Sequence, residues 1–347
     1  MNPHLEPWNI SADDFPADTF ASDQLEFLIG YAILAPSSHN SQPWLFRINA
    51  MDVELFADRR RALPVVDPQQ RELTISCGAA LFNLRVAAEY FGHSYRLEIL
   101  PDPEDQDLLA RFHLGLAGET RSEDILMFNA LTQRRTNRQP FMTDPLSDEL
   151  LESLMAAARE EGAWLQIVDG EENRQTVADL VAEADRIQWA DRHFREELAR
   201  WVRTRPDETR DGLLVQNMGV KDWLAFLGPA LIRTFDRGGG QAAKDQDIAL
   251  HSPVLAVLGT NADDTPAWLV AGQALQSILL RARADGVWAS FLNQPIEVES
   301  LRTRLAAAVE VEGSPQILLR LGYGTDVQPT PRRTVHEVVL KHVGRHA

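Results

Sequence analysis

The sequence predicts a mixed α+β fold made of two equivalent halves, each a small mixed or antiparallel sheet packed by long helices. Three observations support this prediction. Apolar residues recur at helical spacing before Pro36, an alternating strand pattern starts at Trp44, and a similar helix-to-strand unit returns around Trp164. The chain has 347 residues and is 44% apolar, which is enough for a sizeable core.

The first helix is indicated by apolar residues at helical spacing: Leu25, Leu28, Ile29, Ala32 and Ile33. Pro36 ends that pattern. The following strand is indicated by Trp44, Phe46 and Ile48, which alternate with less buried positions. Between them runs a loop rich in hydroxyl and amide groups, within the segment APSSHNSQPWLF (35–46). This loop suits the wrapping of a planar heterocycle, and a plain helix-to-strand turn is the alternative.

An internal repeat supports the two halves. Residues Leu25, Glu26, Leu28 and Ala32 match Leu151, Glu152, Leu154 and Ala158, and residues Gly78, Ala80, Leu81, Ala88 and Gly92 match Gly272, Ala274, Leu275, Ala282 and Gly286. The first set of matches has an offset of 126 residues and the second an offset of 194. Trp44 and Trp164 are only 120 residues apart, six fewer than the first offset. The second copy therefore lacks six residues of the polar loop. Chance similarity between helix-strand units is the alternative. A true repeat predicts one chain folded as a pseudo-twofold dimer.

The repeat divides the chain into an N-terminal arm (1–21), a first half (22–120) and a second half (121–347). The arm is expected to be disordered or packed along the surface. In the first half, Trp44 and Gly78 are 34 residues apart, whereas their counterparts Trp164 and Gly272 in the second half are 108 apart. The second half therefore carries an insertion at about 173–252. Helical patterns at 173–203 and 221–227 and a flexible Gly238–Gly240 are predicted there. An insertion of this size suggests a lid.

Composition limits the partners. The net charge of −17 argues against nucleic acid and anionic membranes, which need a basic surface. The single cysteine, Cys77, fits a reducing compartment, and no stretch resembles a signal peptide or a membrane span. We expect a cytoplasmic protein that binds a small molecule, as a monomer or a homodimer. The nine histidines show no HExxH spacing and the chain has no CxxC, so no metal site is predicted.

Two arginine-rich segments indicate an anion site. QRRTNRQPF (133–141) contains Arg134, Arg135 and Arg138, and Thr136 adds a neutral donor. Near the C-terminus a second segment contains Arg332 and Arg333. Arginine forks bind phosphate oxygens through paired hydrogen bonds, so a phosphate monoester would suit these segments. Solvated helix-end charges are the alternative for each segment alone.

Together, APSSHNSQPW, RRTNR and PRRTVHEVV resemble the nitroreductase superfamily of FMN-binding flavoproteins, and more narrowly its fused-repeat Acg-type branch. The resemblance runs from about residue 22 to residue 340, with the three motifs in the expected order. It implies one FMN per chain, with NAD(P)H as a possible co-substrate.

The resemblance also implies residue roles. FMN phosphate would contact the arginines with help from Thr136, and the isoalloxazine and ribityl would contact the loop. The segment Leu292–Pro295 corresponds to the place where a backbone amide approaches flavin N5, but Pro295 has no N–H to donate. The cofactor-binding residues expected on this basis are Pro36, Ser37, Ser38, Asn40, Arg134, Arg135, Thr136, Arg138, Asn293, Gln294, Arg332 and Arg333.

The implied function is NAD(P)H-dependent reduction of a nitroaromatic or a quinone by hydride transfer through flavin N5. The flavin carries that chemistry, so no catalytic side chain is predicted. The alternative is an FMN storage or sequestering protein, in which the insertion covers the flavin and leaves little or no reductase activity.

Overall fold

The computed structural model describes residues 3–117, 122–205, 209–214, 232–233 and 238–341. The helical pattern predicted at 221–227 lies outside these residues. Within them, no helix combines the length and the apolar character that a membrane crossing requires.

The first half builds one four-stranded antiparallel sheet. Its elements are α1 (Ala21–Ala32), β1 (Trp44–Asn49), β2 (Asp52–Ala57), α2 (Arg71–Tyr90), β3 (His93–Ile99) and β4 (Leu108–Ala117). The strands lie in the order β1-β2-β4-β3, each antiparallel to its neighbour. The predicted helix before Pro36 and the predicted strand from Trp44 are therefore confirmed.

The second half builds another four-stranded antiparallel sheet. Its elements are α3 (Ser122–Leu131), α4 (Asp148–Glu160), β5 (Trp164–Ile167), α5 (Glu171–Ala190), α6 (Arg192–Trp201), β6 (Val202–Arg203), β7 (Leu213–Leu214), α7 (Gly238–His251), β8 (Val254–Thr260), α8 (Thr265–Ala284), β9 (Trp288–Phe291), α9 (Gln294–Glu297), α10 (Glu299–Ala308), β10 (Ser314–Gly322) and α11 (Val335–Val338). The sheet order is β5-β8-β10-β9, and β6 and β7 form a separate parallel pair. If the four strands of each sheet are numbered in chain order, both sheets have the spatial order first, second, fourth, third.

The helices α2 and α8 form the centre of the molecule, packed against each other. Each has 20 residues and is buried over most of its surface. Both end at a glycine in the left-handed region, Gly92 with φ 76° and Gly286 with φ 78°. A residue with a Cβ resists this conformation, so glycine is the natural helix stop at both places.

The N-terminal arm is packed against the C-terminal segment. Residues Pro3–Asn9 form a 3-10 helix, and Trp8 is only 8% exposed. Its indole Nε1 donates to Thr330 O at 2.8 Å, and Arg332 N donates to His4 O at 3.1 Å. Of the two states expected for the arm, these residues adopt the packed one.

The predicted insertion, about 173–252, lies between β5 and β8 and contacts the first half. Leu63 and Val66 share an apolar cluster with residues of α5 and α6. The backbone N–H groups of Val65 and Val66 each donate to the Glu197 carboxylate at 3.0 Å. The helical pattern predicted from residue 173 to residue 203 is confirmed by α5 and α6.

The prediction that Gly238–Gly240 is flexible is wrong. These glycines form the first turn of α7. Helix α7 packs against α5, and its Ala242 and Ala249 are fully buried. Tertiary packing thus offsets the conformational cost that three glycines impose on a helix start.

Candidate functional site

A cavity of about 320 Å³ lies where both halves, the insertion and the C-terminal segment meet. Every residue predicted for cofactor binding lines it except Arg333: Pro36, Ser37, Ser38, Asn40, Arg134, Arg135, Thr136, Arg138, Asn293, Gln294 and Arg332. Segments distant in the sequence therefore converge on one concave site, which is the usual form of a ligand site.

The polar loop after α1 is held in an unusual backbone conformation. His39, Asn40 and Gln42 all have positive φ, between 50° and 53°. Such values cost about 1–2 kcal/mol per residue for side chains with a Cβ and persist only where the surroundings fix them. Gln42 N donates to Ser37 Oγ at 2.9 Å, and the Ser38 hydroxyl donates to the buried Glu72 carboxylate. The loop is thus a rigid wall of the cavity.

A first cationic cluster consists of Arg134, Arg135 and Arg332. Arg332 Nη1 donates to Asn40 Oδ1 at 2.9 Å, and Arg134 Nη2 donates to Leu34 O at 3.2 Å. Trp8 packs on the cluster, with its ring centroid 4.3 Å from Arg135 Cζ and 4.8 Å from Arg332 Cζ.

No carboxylate of the described residues lies within ion-pair distance of this cluster. Burial, together with Arg135, lowers the pKa of Arg134 to about 9, and burial with the neighbouring arginines lowers the pKa of Arg332 well below its ordinary value. The Nε atoms of Arg134 and Arg332 are buried without a hydrogen-bond partner among the described residues. Asp326 acts on Arg135 only from beyond ion-pair distance. Buried cations without an ion-paired carboxylate are unfavourable, so this cluster is suited to an anion.

Arg138 belongs to a second cationic group rather than to the first cluster. Its charge acts on His39 and Arg320, and Asp245 acts on it. Arg138 is surrounded by protein but remains accessible to water in the cavity, and it has no hydrogen-bond or ion-pair partner in the described part of the chain. Burial and the Arg138 charge lower the pKa of His39 to about 4, so the imidazole is neutral at pH 7.

Arg320 completes the second group from strand β10. It is 2% exposed, and its Nη2 donates to Asn137 O at 3.1 Å and to Gln139 O at 3.0 Å. The Phe141 ring lies 4.1 Å from its Cζ. Its Nη1 is buried without a partner among the described residues, so it retains an unused donor at the cavity wall.

Asn293 and Gln294 line the cavity at the start of α9. Asn293 Oδ1 accepts from Leu318 N at 3.1 Å, which ties this turn to the sheet. Gln294 Nε2 donates to Asp245 Oδ2 at 3.0 Å and lies 3.4 Å from Asp185 Oδ1, so it reaches across to the insertion. Thr136 also lines the cavity, and its backbone forms a bridge with Ala289.

Arg333 points away from the cavity. Its Nη1 donates to Gln42 O at 3.0 Å and its Nη2 donates to Glu337 O at 2.7 Å, while its backbone N–H donates to Gln42 Oε1 at 2.7 Å. Although the sequence predicts that Arg333 contacts the ligand, it is not among the residues that line the cavity. The guanidinium is occupied by backbone carbonyls, so Arg333 supports the shape of the polar loop.

A latch joins the insertion to the polar loop. Gln42 Nε2 donates to Arg210 O at 2.7 Å, and Gly212 N donates to Asn40 O at 3.3 Å. The adjacent Asp211 carboxylate pairs with Arg203 at 2.8 Å and also with Arg61 of the first half. The insertion therefore closes one side of the cavity through specific contacts.

Several cavity residues were not predicted from the sequence, namely Trp8, His39, Glu72, Asp185, Asp245 and Arg320. Arg320 had a detectable signal, because a charged residue inside the apolar run of a strand needs a special partner. Asp185 and Asp245 had no local signal, since they lie 60 residues apart and meet only in the folded insertion.

The sequence matches the model of the nitroreductase family over residues 131–323. It is 30% identical over 329 residues to the "Putative NAD(P)H nitroreductase Rv3131" of Mycobacterium tuberculosis, covering 92% of this chain and 91% of that one. It is 27% identical over 330 residues to the "Putative NAD(P)H nitroreductase acg" of the same organism, covering 93% and 97%.

Among solved structures, the chain also matches the FMN-dependent nitroreductase NfnB from Mycobacterium smegmatis in complex with NADPH. That chain is 17% identical, with a TM-score of 0.37 over 58% of this chain and 89% of its own. The family model and the full-length relative at 30% identity decide the assignment: the chain belongs to the nitroreductase family.

Proposed function

We propose that this protein is an FMN-dependent oxidoreductase that uses NAD(P)H to reduce a nitroaromatic or a quinone. The observation that carries this proposal is the first cationic cluster, Arg134, Arg135 and Arg332. It forms no ion pair with a carboxylate of the described residues and lies in a cavity walled by the rigid polar loop. The relative at 30% identity is named a "Putative NAD(P)H nitroreductase".

The donor set fits FMN, with one bound per chain. The first cationic cluster would hold the phosphate, because guanidinium forks match phosphate oxygens and the unpartnered Nε atoms supply further donors. Thr136 would assist as a neutral donor. Pro36, Ser37, Ser38 and Asn40 would line the ring and the ribityl, with Asn293 and Gln294 facing them across the cavity.

Bound FMN would supply hydride acceptance and donation at N5. The second cationic group would act on the charge that accompanies this chemistry, because Arg138 is a cation without an ion-pair partner in the described residues. Pro295 cannot donate a hydrogen bond, so Gln294 N or another neighbouring amide would have to serve N5. The insertion would keep bulk water away from the reacting groups.

Storage of FMN is the second candidate function, and the latch favours it. Asp211 pairs with Arg61 and Arg203, and two hydrogen bonds join the adjacent Arg210 and Gly212 to the polar loop. Together these contacts would hold the insertion closed over the flavin. A closed insertion would exclude a nicotinamide ring, whereas a latch that opens would admit it.

We further propose that the two halves are a fused pseudo-dimer with the boundaries 22–120 and 121–347, preceded by the arm at 1–21. Symmetric contacts between α2 and α8 support this. A Cβ on Gly78 would lie 2.3 Å from Leu269 O, and a Cβ on Gly272 would lie 2.0 Å from Ile75 O. Gly272 follows Gly78 by 194 positions, and Leu269 follows Ile75 by the same number. The two contacts are therefore equivalent, as they would be across a twofold axis.

The equal strand order of the two sheets points the same way. A fusion would supply internally the interface of a dimer, so we propose a monomer, with a homodimer as the alternative.

We also propose a cytoplasmic location, because the single cysteine, Cys77, is buried and unpaired.

Anaerobic mixing with NADPH or NADH tests the proposed function. We expect purified protein with about one FMN per chain, rapid bleaching of the flavin, and its return on addition of menadione or nitrofurazone. Bleaching absent over minutes, with FMN still bound, would support storage. A protein that takes up no added FMN would contradict both functions.

A further inference from the structure

Two carboxyl groups of the insertion face each other in the wall of the cavity. Asp185 lies on α5 and Asp245 on α7, and they are 2% and 7% exposed. The two side chains lie within hydrogen-bonding reach of each other. Gln241 Nε2 donates to Asp245 Oδ2 at 2.9 Å, and Gln294 approaches both carboxyl groups from α9.

No cation of the described residues forms an ion pair with either carboxylate. Charges on Arg138, Arg186, Lys244 and Arg320 act on the pair from a distance. Asp185 Oδ2 is buried without a donor from the described residues. Two buried carboxyl groups within hydrogen-bonding reach cannot both be ionised, so they share one proton.

Burial and the neighbouring Asp245 charge raise the pKa of Asp185 to about 8, and burial also raises the pKa of Asp245. Asp185 therefore carries the proton at pH 7, and Asp245 accepts its hydrogen bond. Other groups at the cavity are less suitable. His39 is neutral at pH 7, and Glu72 accepts from Arg71 at 3.1 Å. The arginines of the first cationic cluster are assigned to the phosphate. Glu297 and Lys244 also line the cavity, and burial raises the pKa of Glu297 well above its ordinary value.

The proposed reaction needs one proton. A quinone that receives a hydride, which brings two electrons and one hydrogen, becomes a hydroquinone only when a proton adds to its other oxygen. A nitro group that receives a hydride likewise needs one proton, after which an N–O bond breaks and water leaves with a nitroso product. The donor must face the acceptor, and the carboxyl pair lines the cavity in which the acceptor would lie.

We propose that Asp185, sharing its proton with Asp245, donates the proton that completes reduction of the acceptor. This inference rests on the proposed function. The O–H bond of Asp185 breaks as the new O–H bond of the acceptor forms, and solvent restores the proton in the next cycle. Asp245 is a positioning residue, since it accepts the hydrogen bond of Asp185 and keeps that carboxyl protonated.

The test measures reduction of the flavin by NADPH and its reoxidation by an acceptor as two separate steps. It compares Asp185→Asn, Asp245→Asn, Glu297→Gln and a matched control with the wild type. The control is Asp179→Asn, which changes an exposed aspartate on the same helix. We expect all four variants to bind FMN and to be bleached by NADPH as the wild type is. Reoxidation by benzoquinone should slow by about 10²-fold or more in Asp185→Asn, because general acid catalysis contributes this much. Reoxidation by ferricyanide, which takes electrons without a proton, should not change.

The pH profile adds a second readout. In the wild type, reoxidation by benzoquinone should fall as pH rises past about 8, where Asp185 ionises. Asp185→Asn should lose this limb. Asp245→Asn should move it to lower pH, because the like charge that keeps Asp185 protonated is gone.

The shared proton can be observed without activity. Carbon-13 NMR of apo protein labelled at the aspartate carboxyl should show one protonated carboxyl at pH 7 that disappears in Asp185→Asn and persists in Asp179→Asn. The proposal would be overturned by wild-type quinone rates in Asp185→Asn, by a pH limb lost in Glu297→Gln instead, or by no protonated aspartate at pH 7. A wild type without FMN would instead overturn the proposed function, and with it the donor role, while the labelled carboxyl still decides whether the proton is shared.

Discussion

Gly78 and Gly272 meet where α2 and α8 cross. A Cβ added to Gly78 would lie 3.0 Å from Gly272 Cα, and one added to Gly272 would lie 2.8 Å from Gly78 Cα. The two backbones approach this closely because neither residue has a side chain. The closest neighbours are backbone atoms rather than flexible side chains, so the contact cannot relax locally.

Substituting either glycine by alanine should destabilise the whole fold. The added methyl would meet a carbonyl oxygen of the other helix, and overpacking of this kind costs about 1–3 kcal/mol or more. Urea unfolding of Gly78→Ala and Gly272→Ala measures it. Gly239→Ala is the control, because a Cβ there meets nothing within 4 Å and should leave stability unchanged or slightly higher. Equal stability of all three variants would refute the close crossing.

Arg332 and Arg333 should separate in their effects although they are neighbours. Arg332→Ala removes a cation from the first cationic cluster, so FMN affinity should fall by about 10–100-fold, since a charged hydrogen bond is worth about 1.5–3 kcal/mol. Arg333→Ala instead leaves buried carbonyls such as Gln42 O unpaired, so stability should fall by about 1–3 kcal/mol. FMN titration and urea unfolding of both variants measure this. Equal effects of the two changes on both quantities would be inconsistent with the geometry.

Asp211→Asn should open the latch. Burial acts to raise the pKa of Asp211, but Arg203 and Arg61 outweigh it and hold that pKa below its ordinary value. The latch is therefore complete above the ordinary aspartate pKa of about 3.9 and is lost as pH falls below it. At pH 7 the variant should release FMN faster than the wild type and react faster with NADPH. Stopped-flow release rates that match the wild type would show that these ion pairs do not limit access.

The stability of Asp185→Asn should depend on pH in a defined direction. A carboxyl with a folded-state pKa near 8 and an unfolded value near 3.9 stabilises the fold fully only below pH 3.9, and that contribution is lost as pH rises toward 8. Asparagine does not titrate. The variant should therefore gain stability over the wild type between pH 5 and pH 8, by more than about 1.4 kcal/mol. A difference that stays constant with pH in urea unfolding would contradict the raised pKa.

The sequence was informative where one segment alone decides the outcome. The helix before Pro36, the strands from Trp44 and Trp164, and the polar loop all follow from local spacing and helix-stop chemistry. Of the arginine pair at 332–333, both of which the sequence predicts to contact the ligand, only Arg332 lines the cavity. The direction of each guanidinium depends on carbonyls such as Gln42 O, which lie almost 300 residues away.

The parts that sequence reasoning missed depend on packing between distant segments. Trp8 reaches the first cationic cluster because the arm crosses the C-terminal segment. Asp185 and Asp245 become a pair only when α5 packs against α7. Gly238 starts a helix because that helix is buried, whereas glycine by itself favours flexibility.

The most direct test of the central claim compares FMN with riboflavin, which lacks the phosphate, in calorimetric titrations of the apo protein. We predict one FMN per chain and riboflavin binding weaker by about 10²-fold or more, because the charged hydrogen bonds of the first cationic cluster are lost. In Arg134→Ala/Arg332→Ala this preference should largely disappear, while Arg96→Ala, an exposed arginine on β3, should keep it. Equal affinity of the wild type for FMN and riboflavin would contradict the account.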